Sequence, residues 1–373
     1  AGVQITGASP AVADVTFSII VTAVKNGTKY IPKESDLPVI QEGTIATANN
    51  GTAFELTEEL DFAARDRAGN YKAIILLNDI GANGIPDNFI MQLTGVCISG
   101  TRTTETFVIE NVHVPFRTIT LSNENITDVV SLSDSEGNRY YEVDSLTQDT
   151  VFRGILNTNE DGDLVKENLE IIPAPYRFTK SVNIDTKLTT IQFGSGDANS
   201  LDDDVIPDPS EFAIPLYGKK SFSRFTIDPG NLLQTRTLGI SPANTIISVD
   251  YRHGGGLSHN VSAQNIRFID KLLIKFPGSP TFTSASSVRT SIDVNNTKLA
   301  SGGENAPTLN ELKDKVPSAR NAQSRIVSKE DLLARVYTMP SNFGRVFRAG
   351  VRSNSLNPLA TQLFIISRNT DGQ

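Results

Sequence analysis

The chain has 373 residues and a formal net charge of -8, with a pI near 5.1. It is too long for one ordinary core, so two to four domains are expected, and a general electrostatic hold on nucleic acid or an anionic membrane has no support. A single cysteine, Cys97, excludes an internal disulfide and a thiolate metal cluster, and no apolar run approaches the roughly 18–20 residues of a membrane helix. No basic segment followed by an apolar one opens the chain, and its first residue is alanine, so it reads as processed or as a segment of something longer.

Threonine, valine, isoleucine and serine are abundant, and 27 glycines and 18 prolines punctuate the sequence, a pattern of short strands. "VADVTFSIIVTAV" alternates from Val12 and ends at "NGT", a strand and turn. Proline and glycine break up the next stretch to about residue 60, and residues 71–121 read as a β-meander of "YKAIILLND", "FIMQLTGVCISG", "ETFVIENV" and "FRTITL". The polar run "SNENITD" suggests a boundary near 122. From there "DVVSLSDSEGNRYYEVDSL" is a hairpin turning at "SEGN", and at least three more strands follow to 195. An acidic, proline-broken loop, 197–215, precedes "TIISVDYRHGGGLSHNVSAQNIRFI", which reads as strand, glycine turn and strand.

Near 307 the character changes. "APTLNELKDKVPSARNAQ" and "SKEDLLARVYTMPS" read as helices, the second with Ser328 as N-cap, Asp331 three residues on, and an apolar stripe of Leu332, Leu333 and Val336. "RVFRAGVRS" and "ATQLFIISRN" alternate like two strands. The expected fold class is mostly β with α+β: an elongated multi-domain chain of small β-domains followed by a small α+β domain. Its segments would be 1–121, 122–196, the acidic loop 197–215, 216–306 and 307–373.

Signatures of enzymes are weak. The three histidines, His113, His253 and His259, form no zinc-protease motif. His253 and His259 flank a glycine turn near Asp250, which is more often loop chemistry than a metal site, and "GLSHN" lacks the closing glycine of a nucleophile elbow around Ser258. "FGSGDAN" lacks a third glycine and a following helix, and "YGKKS" lacks the first glycine of a phosphate loop. Asp197, Asp202, Asp203, Asp204 and Asp208 crowd one loop without calcium-loop spacing, so a solvated acidic loop competes with a calcium site. No catalytic, cofactor-binding or metal-binding residue is therefore assigned, and no enzyme is expected.

Four stretches carry a resemblance: "RYYEVDSLTQDTVF"; "PAPYRFTKSV" leading into "TTIQFGSGDA"; "ISVDYRHGGGLSHNVSAQNI"; and "ASGGENAPTLNELKDKVPSARNAQSRIVSKEDLLARVYTMPSNFGRVFRA". In this order they resemble the large baseplate wedge subunit of contractile-tailed, T-even-like phages and the baseplate J-like proteins, over most of 126–360 and more weakly over 8–60. The resemblance implies a virion structural protein assembled in the host bacterial cytoplasm. Its partners would be a second copy of itself, other wedge subunits and neighbouring wedges in a six-fold ring around the hub, with no nucleic acid, membrane or cofactor. It also implies that the ring's rearrangement triggers sheath contraction, with hinges near 122, 197–215 and 300–307. Relatives begin with a helical arm and continue past "ISRNTDGQ", so the chain is expected to be a segment of a longer subunit. Within this frame Arg320, Arg325, Arg335, Arg345 and Arg348 read as interface residues, forking onto carboxylates or carbonyls of neighbours. A β-rich carbohydrate-active enzyme, tail-associated or secreted, and a calcium-dependent adhesin remain the alternatives.

Overall fold

The computed structural model describes residues 7–27, 29–66, 68–81, 84–157, 165, 167–198, 236–322, 325–339, 344–354, 357 and 360–369. The chain is mostly β: of the described residues, 49% lie in strands and 11% are helical. It opens with β1 (Val12–Asn26), β2 (Lys29–Pro32), β3 (Val39–Ile40), β4 (Ile45–Ala48), β5 (Ala53–Leu56), β6 (Leu60–Asp61), β7 (Ile74–Ile80) and β8 (Pro86–Ser99). Next come β9 (Thr101–Ile109), β10 (Thr118–Glu124), β11 (Ile126–Asp134), β12 (Arg139–Glu142), β13 (Thr150–Leu156), β14 (Glu167–Pro173), β15 (Arg177–Val182), β16 (Leu188–Phe193) and β17 (Thr245–His253). The last part holds β18 (Ile266–Lys271), β19 (Ile274–Lys275), α1 (Phe282–Thr290), β20 (Asp293–Asn296), α2 (Leu309–Ala322), α3 (Lys329–Tyr337), β21 (Arg348–Ser353) and β22 (Thr361–Ile366).

Contacts divide the chain into two units, Ala1–Thr101 with His253–Gln373, and Arg102–Arg252. The first is built on an eight-stranded sheet of order β18-β4-β5-β8-β1-β2, with β20 also on β1 and β7 also on β8. Its spine is the antiparallel ladder from Val12↔Ile98 to Thr22↔Asn88. Period-two alternation puts Ala13, Val15, Phe17, Ile19 and Val21 in the core while Asp14, Thr16 and Ser18 face outward. Phe54, Leu56, Phe62 and Met91, with Val288 of α1, fill the same core. Burying each such side chain contributes about 1.5–3 kcal/mol.

The second unit is a seven-stranded sheet of order β10-β16-β15-β12-β11-β17-β9, in which β10–β16, β15–β16 and β11–β12 pair antiparallel and β12–β15 pair parallel, together with the separate β13–β14 ribbon. Tyr140 anchors its core edge-on to Tyr176 and Phe193, with ring centroids 5.2 and 5.3 Å apart. The fully buried Arg177, inside the "PAPYRF" stretch, donates to the carbonyls of Leu146, Ala174 and Thr237, tying three loops together.

The "SEGN" hairpin joins β11 to β12 as expected, and both expected helices and the final strand pair form. The segment boundaries differ. Ser122 lies inside β10, and only Asn125, with φ 54°, separates β10 from β11 of the same sheet, so 122 is not the boundary between the two units. The expected meander over 71–121 is divided: β7 and β8 belong to the first unit's sheet, β9 and β10 to the second's. Residues 307–373 group with the first unit rather than standing apart. Turn signals report local reversals, whereas sheet membership depends on pairing between residues far apart in sequence. The acidic loop 197–215, but for Asp197 and Ala198, and residues 216–235 lie outside the described residues.

The glycine turn also differs from its sequence reading. The strands on either side, β17 and β18, enter different sheets, so "HGGG" is not a hairpin turn. Gly254, Gly255 and Gly256 have φ of 97°, 138° and 104°, which L side chains rarely adopt, and a Cβ on Gly255 would sit 2.6 Å from the Ser9 carbonyl oxygen. Gly255→Ala is expected to cost roughly 2–3 kcal/mol through combined strain and clash. Urea denaturation followed by intrinsic fluorescence measures it, and an unchanged midpoint would refute the packing argument.

Candidate interaction surface

The C-terminal α+β part is held within the first unit by a hydrogen-bonded knot made from five separated stretches. Asn260 accepts from the Gly303 amide and donates to the Gly303 carbonyl, both at 2.8 Å, and donates to the Arg368 carbonyl at 2.8 Å. Ser9 donates to the Glu304 carbonyl, while the Gly256 amide donates to Ser9 and the Arg345 amide to Gly302. Glu304 is buried, and Arg368 holds its carboxylate through both Nε and Nη2. This bond holds the Arg368 guanidinium above its ordinary pKa. Arg368 also lies over Phe347, 4.4 Å from the ring centroid. Residues 302–305, inside the stretch expected as a hinge, are bonded into this knot.

From this knot the chain enters α2. The Thr308 hydroxyl accepts from Glu311, whose carboxylate accepts from the Thr308 amide: a reciprocal cap. The helix then continues through Pro317. At α3 the cap read from the sequence is present: Ser328 Oγ accepts from the Asp331 amide and the Asp331 carboxylate accepts from Ser328 and Val327. Those backbone donors hold the Asp331 carboxyl below its usual 3.8. Beyond α3, the Tyr337 hydroxyl accepts from the Ala349 amide and links the helix to the β21–β22 ribbon.

The five arginines separate into two kinds. Arg345 turns inward: its side chain donates to the Asn305 carbonyl, and burial lowers its pKa. Unlike the other four, it has a hydrogen-bond partner within the chain among the described residues. Arg320 and Arg335, in the last turns of α2 and α3, Arg325 between them, and Arg348 at the start of β21 are exposed. Among the described residues no carboxylate forms a salt bridge with any of these four.

Arg352, passed over in the sequence reading, shares a ribbon face with Arg348, because residues 348, 350 and 352 alternate with 349 and 351. Across the ladder the same face carries Phe364 and Ile366, 52% and 59% exposed. The strand alternation in "RVFRAGVRS" was sufficient to find it. The Glu304–Arg368 pair carried no local signal, since its partners are 64 residues apart.

The histidines are structural where their contacts are described. His259 Nδ1 lies 2.9 Å from Ser99 Oγ, which accepts the Ala11 amide, and Ser99 is fully buried. Ser258 instead gives its carbonyl to Asn50, and Asp250 pairs with Arg102. Among the described residues no three His, Cys, Asp or Glu side chains group to hold a metal ion, and Asp202, Asp203, Asp204 and Asp208 lie outside them. A groove of about 550 Å³ on the outer face of the first sheet is lined by Thr16, Ser18, Lys72, Gln92, Asp293 and Asn295, among others. It offers one carboxylate, Asp293, rather than the facing pair that glycoside hydrolysis uses. No helix among the described residues is long and apolar enough to cross a membrane.

No protein-family model matches the chain, and no curated protein matches it.

Two outcomes follow from these environments. Arg368→Ala leaves Glu304 buried without its partner and is expected to cost about 2–3 kcal/mol, against less than ~0.5 kcal/mol for Arg335→Ala; chemical denaturation of both variants measures the contrast. Burial pulls the His259 pKa below its ordinary 6.5. The unfolded chain therefore binds the proton first, and stability falls as pH drops from about 6.5 towards the lower folded value. His259→Gln is expected to flatten that part of the stability–pH curve.

Proposed function

We propose that the chain is a structural subunit of the baseplate wedge of a contractile tail, whose α+β part docks neighbouring wedge proteins through arginines. The reading rests on the ordered resemblance across 126–360, and one observation carries it furthest. Arg320, Arg325, Arg335 and Arg348 are exposed without salt bridges among the described residues, and the last shares its neighbourhood with exposed Phe364 and Ile366. Arginine beside exposed aromatic and aliphatic surface is the composition of interface centres, because a planar guanidinium binds carboxylates and carbonyls bidentately at little desolvation cost. In an acidic chain, a basic patch of this kind favours acidic protein surfaces over a nucleic-acid backbone, which would call for a longer basic stripe.

On this reading the partners are a second copy, the other wedge proteins and adjacent wedges of the ring, and the site of action is the virion. The ring holds one packing before host contact and another after it, a rigid-body switch whose passage releases sheath contraction. The full-length subunit should form a defined complex when mixed with the gene products encoded beside it, as read by mass photometry. Exchanging Arg325 and Arg335 together for Glu is expected to abolish that complex while leaving the melting temperature of the subunit within about 2 °C. A subunit indifferent to every neighbour would overturn the proposal, and loss of assembly only through loss of folding would overturn the arginine assignment.

A further inference from the structure

The groove on the outer face of the first unit's sheet has a floor of hydroxyl and amide groups, and the pairing of the strands explains why. β20, β1, β8 and β7 lie side by side beneath it. One row across them runs Asp293, Ser18, Gln92, Ile74, and the next runs Asn295, Thr16, Thr94. Phe17 and Val294, between the two rows, are buried in the core, so alternation turns both rows outward. At about 550 Å³ the groove is within the size range of small-ligand sites.

The floor has hydrogen-bonding capacity to spare. Thr16 Oγ1 lies 2.8 Å from Thr94 Oγ1, and Gln92 Nε2 donates to Ser18 Oγ at 3.2 Å. A hydroxyl has one donor and two acceptor positions and a carboxamide two of each, so all four side chains keep further donors or acceptors beyond these bonds. The charges stand at the two rims. Asp293 is on β20; the row from it to β7 takes three strand-to-strand steps, about 14 Å, and Lys72 lines the far side.

This composition selects among ligand classes. A nucleic acid or polyphosphate would meet a single lysine and a repelling carboxylate, where it needs several cations. A metal ion would find one carboxylate. A peptide binds a sheet by main-chain pairing at a free edge or through apolar pockets, whereas the main chain of β1 and β8 is already paired on both sides here. A sugar ring presents hydroxyls that each donate and accept, as the groups of the floor do. We infer that the groove binds an oligosaccharide. Gln92, Asn295 and the Thr16–Thr94 pair meet its ring hydroxyls, Asp293 accepts from hydroxyls at one rim, and Ile74 packs against ring C–H groups. With one carboxylate the groove binds without cleaving. Its lining has no aromatic ring to stack on a sugar, so affinity is expected to be weak, with a Kd on the order of 1 mM. The inference rests on a different face from the arginine surface and does not depend on the proposed assembly.

Saturation-transfer difference NMR of the full chain with maltotriose, cellotriose and chitotriose, at equal millimolar concentrations, tests it. Transfer to at least one of the three is expected. Asp293→Asn and Gln92→Leu should each weaken binding roughly five- to ten-fold. Thr94→Arg, which fills the groove from an exposed position, should abolish it. Arg335→Ala should leave it unchanged, and thermal melts of the variants separate lost binding from lost folding. Silence with all three sugars, or binding indifferent to Asp293→Asn, Gln92→Leu and Thr94→Arg, would overturn the inference. Equal transfer to triserine would also overturn it, making the groove a peptide site instead. A chain that binds no sugar yet assembles with its neighbours would overturn this inference alone; one that binds sugar but joins no neighbour would overturn the proposed function alone.

Discussion

The first unit depends on one small set of bonds, the reciprocal amide pair between Asn260 and Gly303 with the Glu304–Arg368 ion pair beside it. Neither member can be exchanged easily. A Cβ on Gly303 would come within 2.5 Å of the Gly256 carbonyl oxygen and 2.7 Å of Asn260 Oδ1. Asn260 needs both ends of its amide to complete three bonds, and a buried amide that loses a partner retains its desolvation cost. The knot draws together residues from near 9, 256–260, 302–305, 345 and 368. It fixes where α2 leaves the sheet and where β22 ends, and so the direction in which the exposed arginines are presented.

A second constraint concerns what is left uncovered. The β13–β14 and β21–β22 pairs are two-stranded sheets, and a lone ribbon is marginal in water. Within β13–β14, Phe152 faces Ile171 across the ladder and Leu169 lies on the same side, all more than 60% exposed. The other side is closed by the Arg153–Glu170 ion pair, so the ribbon is amphipathic, with nothing among the described residues on its apolar face. Amphipathic ribbons are costly for a chain that acts alone. They are expected of a chain that acts in an assembly, because the surface left uncovered by folding is then covered by neighbours.

Much of this was legible in the sequence and some was not, for a physical reason that recurs. Local chemistry reads directly: the Ser328–Asp331 cap, the "SEGN" turn, the alternation of β1 and the final strand pair are each decided within a few residues. The same rule would have found the Thr308–Glu311 cap, whose T-x-x-E spacing stands in the sequence. Where the chain passes between sheets could not be read locally. "RHGGGLSHN" resembles a hairpin turn, and only the pairing of β17 and β18 with strands elsewhere shows that it links two units. Arg345 and Arg368 likewise look like their neighbours Arg335 and Arg348 until the carbonyl of Asn305 and the carboxylate of Glu304 are brought beside them.

That division among arginines explains why so many gather in an acidic chain. Lysine could supply charge at an exposed position, but it cannot hold a buried carboxylate through two parallel donors, as Arg368 does with Glu304, nor lie flat over Phe347 while doing so. Arg345, half-buried against a carbonyl, retains its charge where a lysine would tend to lose it. The inward arginines are thus required by the fold, whereas Arg320, Arg325, Arg335 and Arg348 are not. Arg320, Arg325, Arg335 and Arg348 are exposed on or between two capped helices and at the start of β21, without salt bridges among the described residues. On the reading proposed above, a carboxylate-rich neighbour would supply their partners, and the capped helices would hold the donors in place without any contribution from it.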